Sequence, residues 1–124
     1  MITVVGSINL DLIANVDRLP GPGETLRSSG FSTSAGGKGA NQALAAARAG
    51  GQTRMIGAVG RDGFASEALA CLKEAKVDLT GVREAAAATG IALIFVDEKG
   101  ENVIVVAPGA NDTVLAGDLT KARF

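Results

Sequence analysis

The sequence predicts an α/β fold in which a parallel sheet carries helices and a smaller antiparallel sheet lies beside it. Three observations predict this. Residues 2–6, "ITVVG", form a β-branched run that ends at a glycine, the pattern of a buried strand in a parallel sheet. The chain from 38 to 77 then reads helix, strand, helix, which with the first strand makes a right-handed parallel unit. Residues 89–106 break that pattern with two β-rich runs around "DEKGEN", a hairpin with turn residues at its tip.

In order, 2–6 is predicted as a core strand, and "NLDLIANVDRL" (9–19) alternates for part of its length. "PGPG" (20–23) is dense turn chemistry leading into "ETLRSSGFSTS" (24–34), so 9–19 and 24–34 are predicted as exposed strands. A helix over 38–49 is rich in strong helix formers and stops at Gly50-Gly51. "TRMIGAVG" (53–60) is a second buried strand. In "RDGFASEALACLKEAKV" Asp62 and Ser66 are candidate caps, and Phe64, Ala68, Leu69, Leu72 and Ala75 recur at helical spacing. Residues 110–124 begin like a loop and helix, with Asp112 or Thr113 as an N-cap. Two or three parallel strands cannot give a doubly wound sheet both a centre and two covered faces, so the chain reads as the front part of something larger.

Composition narrows the function. With 12 basic against 13 acidic residues there is no basic face for a phosphate backbone, and with no Trp or Tyr there is no platform for stacking bases, so nucleic acid is not expected as a partner. The chain has no His, which excludes an internal Cys-His pair or Ser-His-Asp triad, and Cys71 lies in a helical apolar pattern that suits a structural thiol. The first residues lack the features of a signal peptide, and no apolar run reaches the roughly 20 residues needed to cross a bilayer, so no membrane partner and a cytoplasmic location are expected.

Residues 35–42, "AGGKGANQ", open the first helix and look like a phosphate cradle, because a helix start offers free N–H groups and the positive end of a dipole. A P-loop requires a glycine five residues before Gly37 and a Ser or Thr after Lys38; Ser32 and Gly39 stand there. The dinucleotide fingerprint fails too, since Ala40, Asn41 and Gln42 follow Gly39. What remains is a turn with a cation, the Asn41 amide and helix-start N–H groups, suited to oxygen-rich ligands or anions; a plain glycine turn with a solvated lysine fits equally. Just past the first strand, Asn9 and Asp11 are two residues apart on an extended segment and face the same way, near the carboxyl end of the strand where ligands of open α/β sheets bind. A carboxylate with no metal or cation beside it suits paired hydroxyls, which sugars present.

"VVGSINLDL", "LPGPGET", "AGGKGANQALAAARAG", "AVGRDGF" and "TGIALIFVDEKGENVIVVAPGAN" occur in an order that resembles the ribokinase family of PfkB-type carbohydrate kinases, through the whole chain. "GGKGANQA" matches the family's first signature, and the chain most resembles the ribokinase branch. The resemblance implies a ribokinase-like three-layer α/β/α fold with a small antiparallel β lid, residues 1–124 being the N-terminal portion of one such domain. It implies ATP-dependent phosphorylation of a sugar primary hydroxyl, with D-ribose converted to D-ribose 5-phosphate as the best single substrate. By the same resemblance Asp11 accepts from two ring hydroxyls, Asn9 holds a neighbouring one, and Gly37, Lys38 and Asn41 close the other side, while Ala92 and Val106 form an apolar wall from the lid. The lid comprises 9–19, 24–34, 89–97 and 101–107; it excludes water and in ribokinases pairs with the lid of a second subunit, implying a homodimer.

Family members are more than twice as long, and their ATP site, their magnesium-holding glutamate motif and their catalytic base lie in the later part. ATP and Mg2+, with K+ activation, are therefore implied for the full-length member, none bound by this chain alone. "DTVLAGD" (112–118) resembles the late family signature that carries the base, which makes Asp118 a candidate, yet the segment follows the lid strands directly and lacks the intervening elements. The 124 residues alone are therefore expected to be inactive. Fructokinase-like and nucleoside-kinase branches stay open, as does a truncated, non-catalytic sugar-binding or dimerising module.

Overall fold

The computed structural model describes residues 1–121, with the elements in the order β1 (Ile2–Val5), β2 (Asn9–Asn15), β3 (Gly30–Gly36), α1 (Lys38–Arg48), β4 (Thr53–Gly60), α2 (Gly63–Glu74), β5 (Asp78–Ala85), β6 (Gly90–Val96), β7 (Asn102–Ala107), a 3-10 turn (Gly109–Thr113) and α3 (Ala116–Lys121). β1, β4 and β5 form a parallel sheet with β4 in the centre. The other four strands make a second sheet in the order β3-β2-β6-β7.

β4 is apolar on both faces because both are covered. Met55 and Val59 point one way, into a core with Ala40 and Ala43 of α1 and Ala68, Leu69 and Leu72 of α2. Ala58 belongs to the opposite face, where it packs with Ala85 and with Ala110 of the 3-10 turn. Ile8 and Leu10 join the first core, which ties the root of the second sheet to the parallel one. Fully buried leucines of this kind contribute about 1.5–3 kcal/mol each. The carboxylate of Asp62 accepts from the Ala65 N–H at 3.1 Å and so caps α2, whereas Ser66 lies inside the helix and caps nothing.

Several elements depart from the sequence expectation. β1 is half-exposed, Ile2 at 47% and Val5 at 43%, because β4 pairs with one of its edges and no described strand pairs with the other. The strand expected over 9–19 ends at Asn15, and β2 is not an exposed strand, since Leu10 is buried. That expected over 24–34 begins only at Gly30, since the Ser28 and Ser29 hydroxyls both donate to the Asn15 carbonyl and Glu24 binds Arg18 and the Gly21 N–H. Such short side chains compete with the sheet ladder for backbone partners. β5 was not expected at all: "DLTGVREA" is interrupted by a glycine and mixes charge with apolar residues, as an edge strand can. The second sheet is mixed, because β2 and β6 run parallel while β3 and β7 flank them antiparallel. Asp112 and Thr113 lie inside the 3-10 turn and cap no α-helix; α3 starts at Ala116, and the Asp118 side chain accepts from the Leu115 N–H at 2.8 Å.

Candidate sugar-binding cleft

The start of α1 is pressed against the turn between β1 and β2. Gly39 has no side chain where a Cβ would stand 2.7 Å from Gly6, and Gly37, at φ 93°, occupies a backbone region that L side chains rarely adopt while its Cβ position lies 2.6 Å from the Ser7 carbonyl. Across this contact Ser7 takes two of the helix-start donors: its hydroxyl accepts from the Lys38 N–H at 3.1 Å and its carbonyl from the Ala40 N–H at 3.0 Å. Two of the helix-start amides are thus taken by Ser7, which leaves fewer of them for an anion here.

The same contact brings Lys38 and Asn41 opposite Asn9. Ser7, Asn9, Gly37, Lys38, Asn41 and Val106, with Pro108, Asn111 and Asp112, line an open cleft of about 450 Å3. Five residues singled out in the sequence therefore converge on one concavity. Asp11 and Ala92 are not in that lining; they stand one row further along the second sheet. Strand register places Ser34, Asp11, Ala92 and Val106 side by side across β3, β2, β6 and β7, and cross-strand partners share a face, so Asp11, Ala92 and Val106 lie on the same face as Asn9, Ala92 buried there and Val106 exposed.

Asp11 is prepared as an acceptor. Its carboxylate lies over Gly36, where a Cβ would approach Asp11 Oδ2 to 2.6 Å. Burial pushes its carboxyl above the ordinary value, and no hydrogen-bond donor among the described residues offsets that. A half-buried carboxylate without donors gains from a ligand that brings hydroxyl hydrogens.

The 3-10 turn forms the remaining wall. Gly109, at φ 52°, lets the chain turn in close under Ala88, and the Ala110 N–H donates to the Ala88 carbonyl at 2.7 Å. The Asn111 carboxamide spans Ile8 and touches Asn9. Ser7, Pro108, Asn111 and Asp112 were missed as site residues; the signal for the last three was the Pro-Gly pair after β7, which sends the chain back toward β1.

Asp118 has other work. Arg83 of β5 donates from Nε at 2.8 Å to its Oδ1 and from Nη2 at 3.1 Å to its Oδ2, and Arg83 also binds the Thr113 carbonyl. The guanidinium and the Leu115 N–H hold the Asp118 carboxyl well below the usual range, at about 2, the wrong direction for a general base at neutral pH. It does not line the cleft. Among the described residues no group of three or more Cys, Asp or Glu side chains gathers to hold a metal ion, and no helix is long and apolar enough to cross a membrane.

The sequence pattern of the pfkB family carbohydrate kinases matches residues 1–122, and the chain belongs to that family. It is 44% identical over 120 residues to a ribokinase of Schizosaccharomyces pombe, covering 91% of this chain and 38% of that protein. It is 37% identical to a deoxyribokinase of Salmonella typhi, over 98% of this chain and 40% of that one. A solved structure of Arabidopsis thaliana ribokinase complexed with ribose and ATP superposes with a TM-score of 0.82 at 36% identity, covering 89% of this chain and 36% of that one. The chain thus spans about two fifths of the length of these curated relatives.

Proposed function

We propose that this chain supplies the sugar-binding side and the lid of an ATP-dependent carbohydrate kinase, as the N-terminal portion of one ribokinase-like domain, and that the sugar is a pentose, D-ribose first, converted to its 5-phosphate. The observation that carries the reading is the convergence of Asn9, Gly37, Lys38, Asn41 and Val106 on one cleft beside the unpartnered Asp11 carboxylate. The likeness to proteins named ribokinase, one of them complexed with ribose and ATP, supports the choice of sugar.

The chain's own residues bind and orient. Asp11 accepts from two ring hydroxyls, Asn9 and Asn41 offer amides to their neighbours, and Lys38 supplies a cation at the rim. Ala92 and Val106 give the sheet an apolar surface against the sugar and exclude water, which competes for a phosphoryl group. When bound in the whole protein, ATP would supply the phosphoryl group and Mg2+, with K+ activation, would offset its charge. The 124 residues alone are expected not to catalyse transfer, because the ATP site and base that the resemblance implies lie in the later part of the family's domain.

The experiment is a kinase assay on the 124-residue chain and on a fusion in which it replaces the matching part of a ribokinase, against D-ribose, 2-deoxyribose, fructose and nucleosides. The fusion is expected to phosphorylate D-ribose best, and the chain alone to match a no-enzyme blank. A fusion that folds yet prefers a nucleoside or fructose would move the chain to another branch.

A second role concerns the lid. β7 presents Val103, Ile104 and Val105 at 44–55% exposure beside an edge that no described strand pairs, and a second copy of the chain pairing there would cover them.

A further inference from the structure

One interaction in the cleft has its direction fixed by the backbone. The Ile8 N–H donates to Asn111 Oδ1 at 2.9 Å, and Asn111 Nδ2 donates to the Ile8 carbonyl at 3.2 Å. A backbone N–H only donates and a carbonyl only accepts, so Ile8 settles which end of the Asn111 amide is which. The same Nδ2 group donates to Asn9 Oδ1 at 2.8 Å. The oxygen of Asn9 is thereby turned toward Asn111, and its Nδ2 protons remain to be given away.

Two further features preserve this arrangement. A Cβ on Gly90 would collide with Asn111 Nδ2 and stand 2.5 Å from Asn9 Oδ1, so glycine leaves the room in which the two amides meet. The 3-10 turn that carries Asn111 is held by Ala88, through the Ala110 N–H, and by Arg83, through the Thr113 carbonyl.

We propose that Asn111 is a positioning residue that sets the hydrogen-bond polarity of the cleft, holding Asn9 as a donor next to the acceptor carboxylate of Asp11. The inference rests on the sugar reading above for its consequence, though not for its geometry. A donor and an acceptor side by side suit neighbouring hydroxyls, one accepting from Asn9 and others donating to Asp11. Such a ligand is bound through a directed set of hydrogen bonds, and reversing one amide leaves a donor–acceptor mismatch.

The decisive variant is Asn111→Asp. A carboxylate at this position still accepts from the Ile8 N–H but cannot donate, which takes one partner from the Ile8 carbonyl, and Asn9 turns its Nδ2 toward residue 111 and its oxygen into the cleft. The measurement is NMR on the isotopically labelled chain: amide exchange at Ile8, through-hydrogen-bond coupling between Asn111 Nδ2 and Asn9 Cγ, and titration with D-ribose. The parent is expected to show the coupling. Asn111→Asp should keep Ile8 protected, shift the Asn9 side-chain resonances and bind D-ribose about tenfold more weakly, a combination that loss of fold would not produce. Gly90→Ala should abolish the coupling, its Cβ meeting both amides and standing 2.9 Å from the Pro108 carbonyl. Absence of the coupling in the parent, or Asn111→Asp binding D-ribose as the parent does, overturns the proposal. If the coupling is present and Asn9 turns in Asn111→Asp while no variant responds to D-ribose, the hold of Asn111 on Asn9 stands and the sugar reading falls.

Discussion

Asp62 and Thr89 grip one another at the point where the two sheets meet. The Thr89 hydroxyl donates to Asp62 Oδ1 at 2.7 Å and the Thr89 N–H to Oδ2 at 2.9 Å, while the same hydroxyl accepts from the buried Gly60 N–H at 2.9 Å. One carboxylate thus caps α2, ends β4 and fixes the start of β6, the strand that carries Ala92. Asp62→Ala removes the cap and leaves the 2%-exposed Thr89 without its acceptor. A loss of about 2–3 kcal/mol in unfolding free energy is expected, from the cap and the orphaned donors together, measured by urea denaturation of the chain.

Arg83 and Asp118 predict an acid-sensitive wall. The Asp118 carboxyl sits at about 2 in the folded chain against an ordinary 3.8, so what it contributes is present above about pH 4 and fades as the pH falls toward 2. Amide exchange of the 3-10 turn and α3 should therefore rise in acid before that of β4 does. Arg83→Met should bring the same opening at neutral pH, and unchanged protection of residues 109–121 in that variant would contradict the account.

Gly36 predicts a separation of fold from binding. Because a methyl at residue 36 would meet the end of the half-buried Asp11 side chain, swinging the carboxylate aside can relieve it, so Gly36→Ala should unfold close to the parent. The displaced carboxylate should weaken D-ribose binding roughly tenfold, the loss of one to two charge-assisted hydrogen bonds. The pair of readouts is thermal unfolding and a ribose titration.

The exposed strand β7 predicts self-association. Val105→Lys places a charge on the apolar edge strand without touching the buried core, and is expected to shift any dimer to monomer in sedimentation velocity while leaving circular dichroism unchanged. A monomeric parent would contradict the proposed pairing of lids.

Much of the candidate cleft's lining was legible because it rests on short local patterns. Asn9 and Asp11 two residues apart on a strand, and a glycine-lysine-glycine turn at a helix start, place side chains without knowledge of the rest of the chain. The elements that escaped depend on partners distant in sequence. β5 is an edge strand whose pairing with β4 decides its state, and Asn111 acquires its role only when the chain returns 103 residues later to Ile8. The α1 start shows both sides: its free amides were apparent from the sequence, and the serine that takes two of them lies 31 residues earlier.

Chemical-shift mapping of the labelled 124-residue chain with D-ribose tests whether the cleft between β2 and α1 is a sugar site. The account predicts saturable shifts confined to Asn9, Asp11, Gly37, Lys38, Asn41 and their neighbours, absent in Asp11→Ala and absent when ATP alone is added. Shifts of these residues with ATP but not with ribose, or ribose shifts that map elsewhere or survive Asp11→Ala, would contradict it.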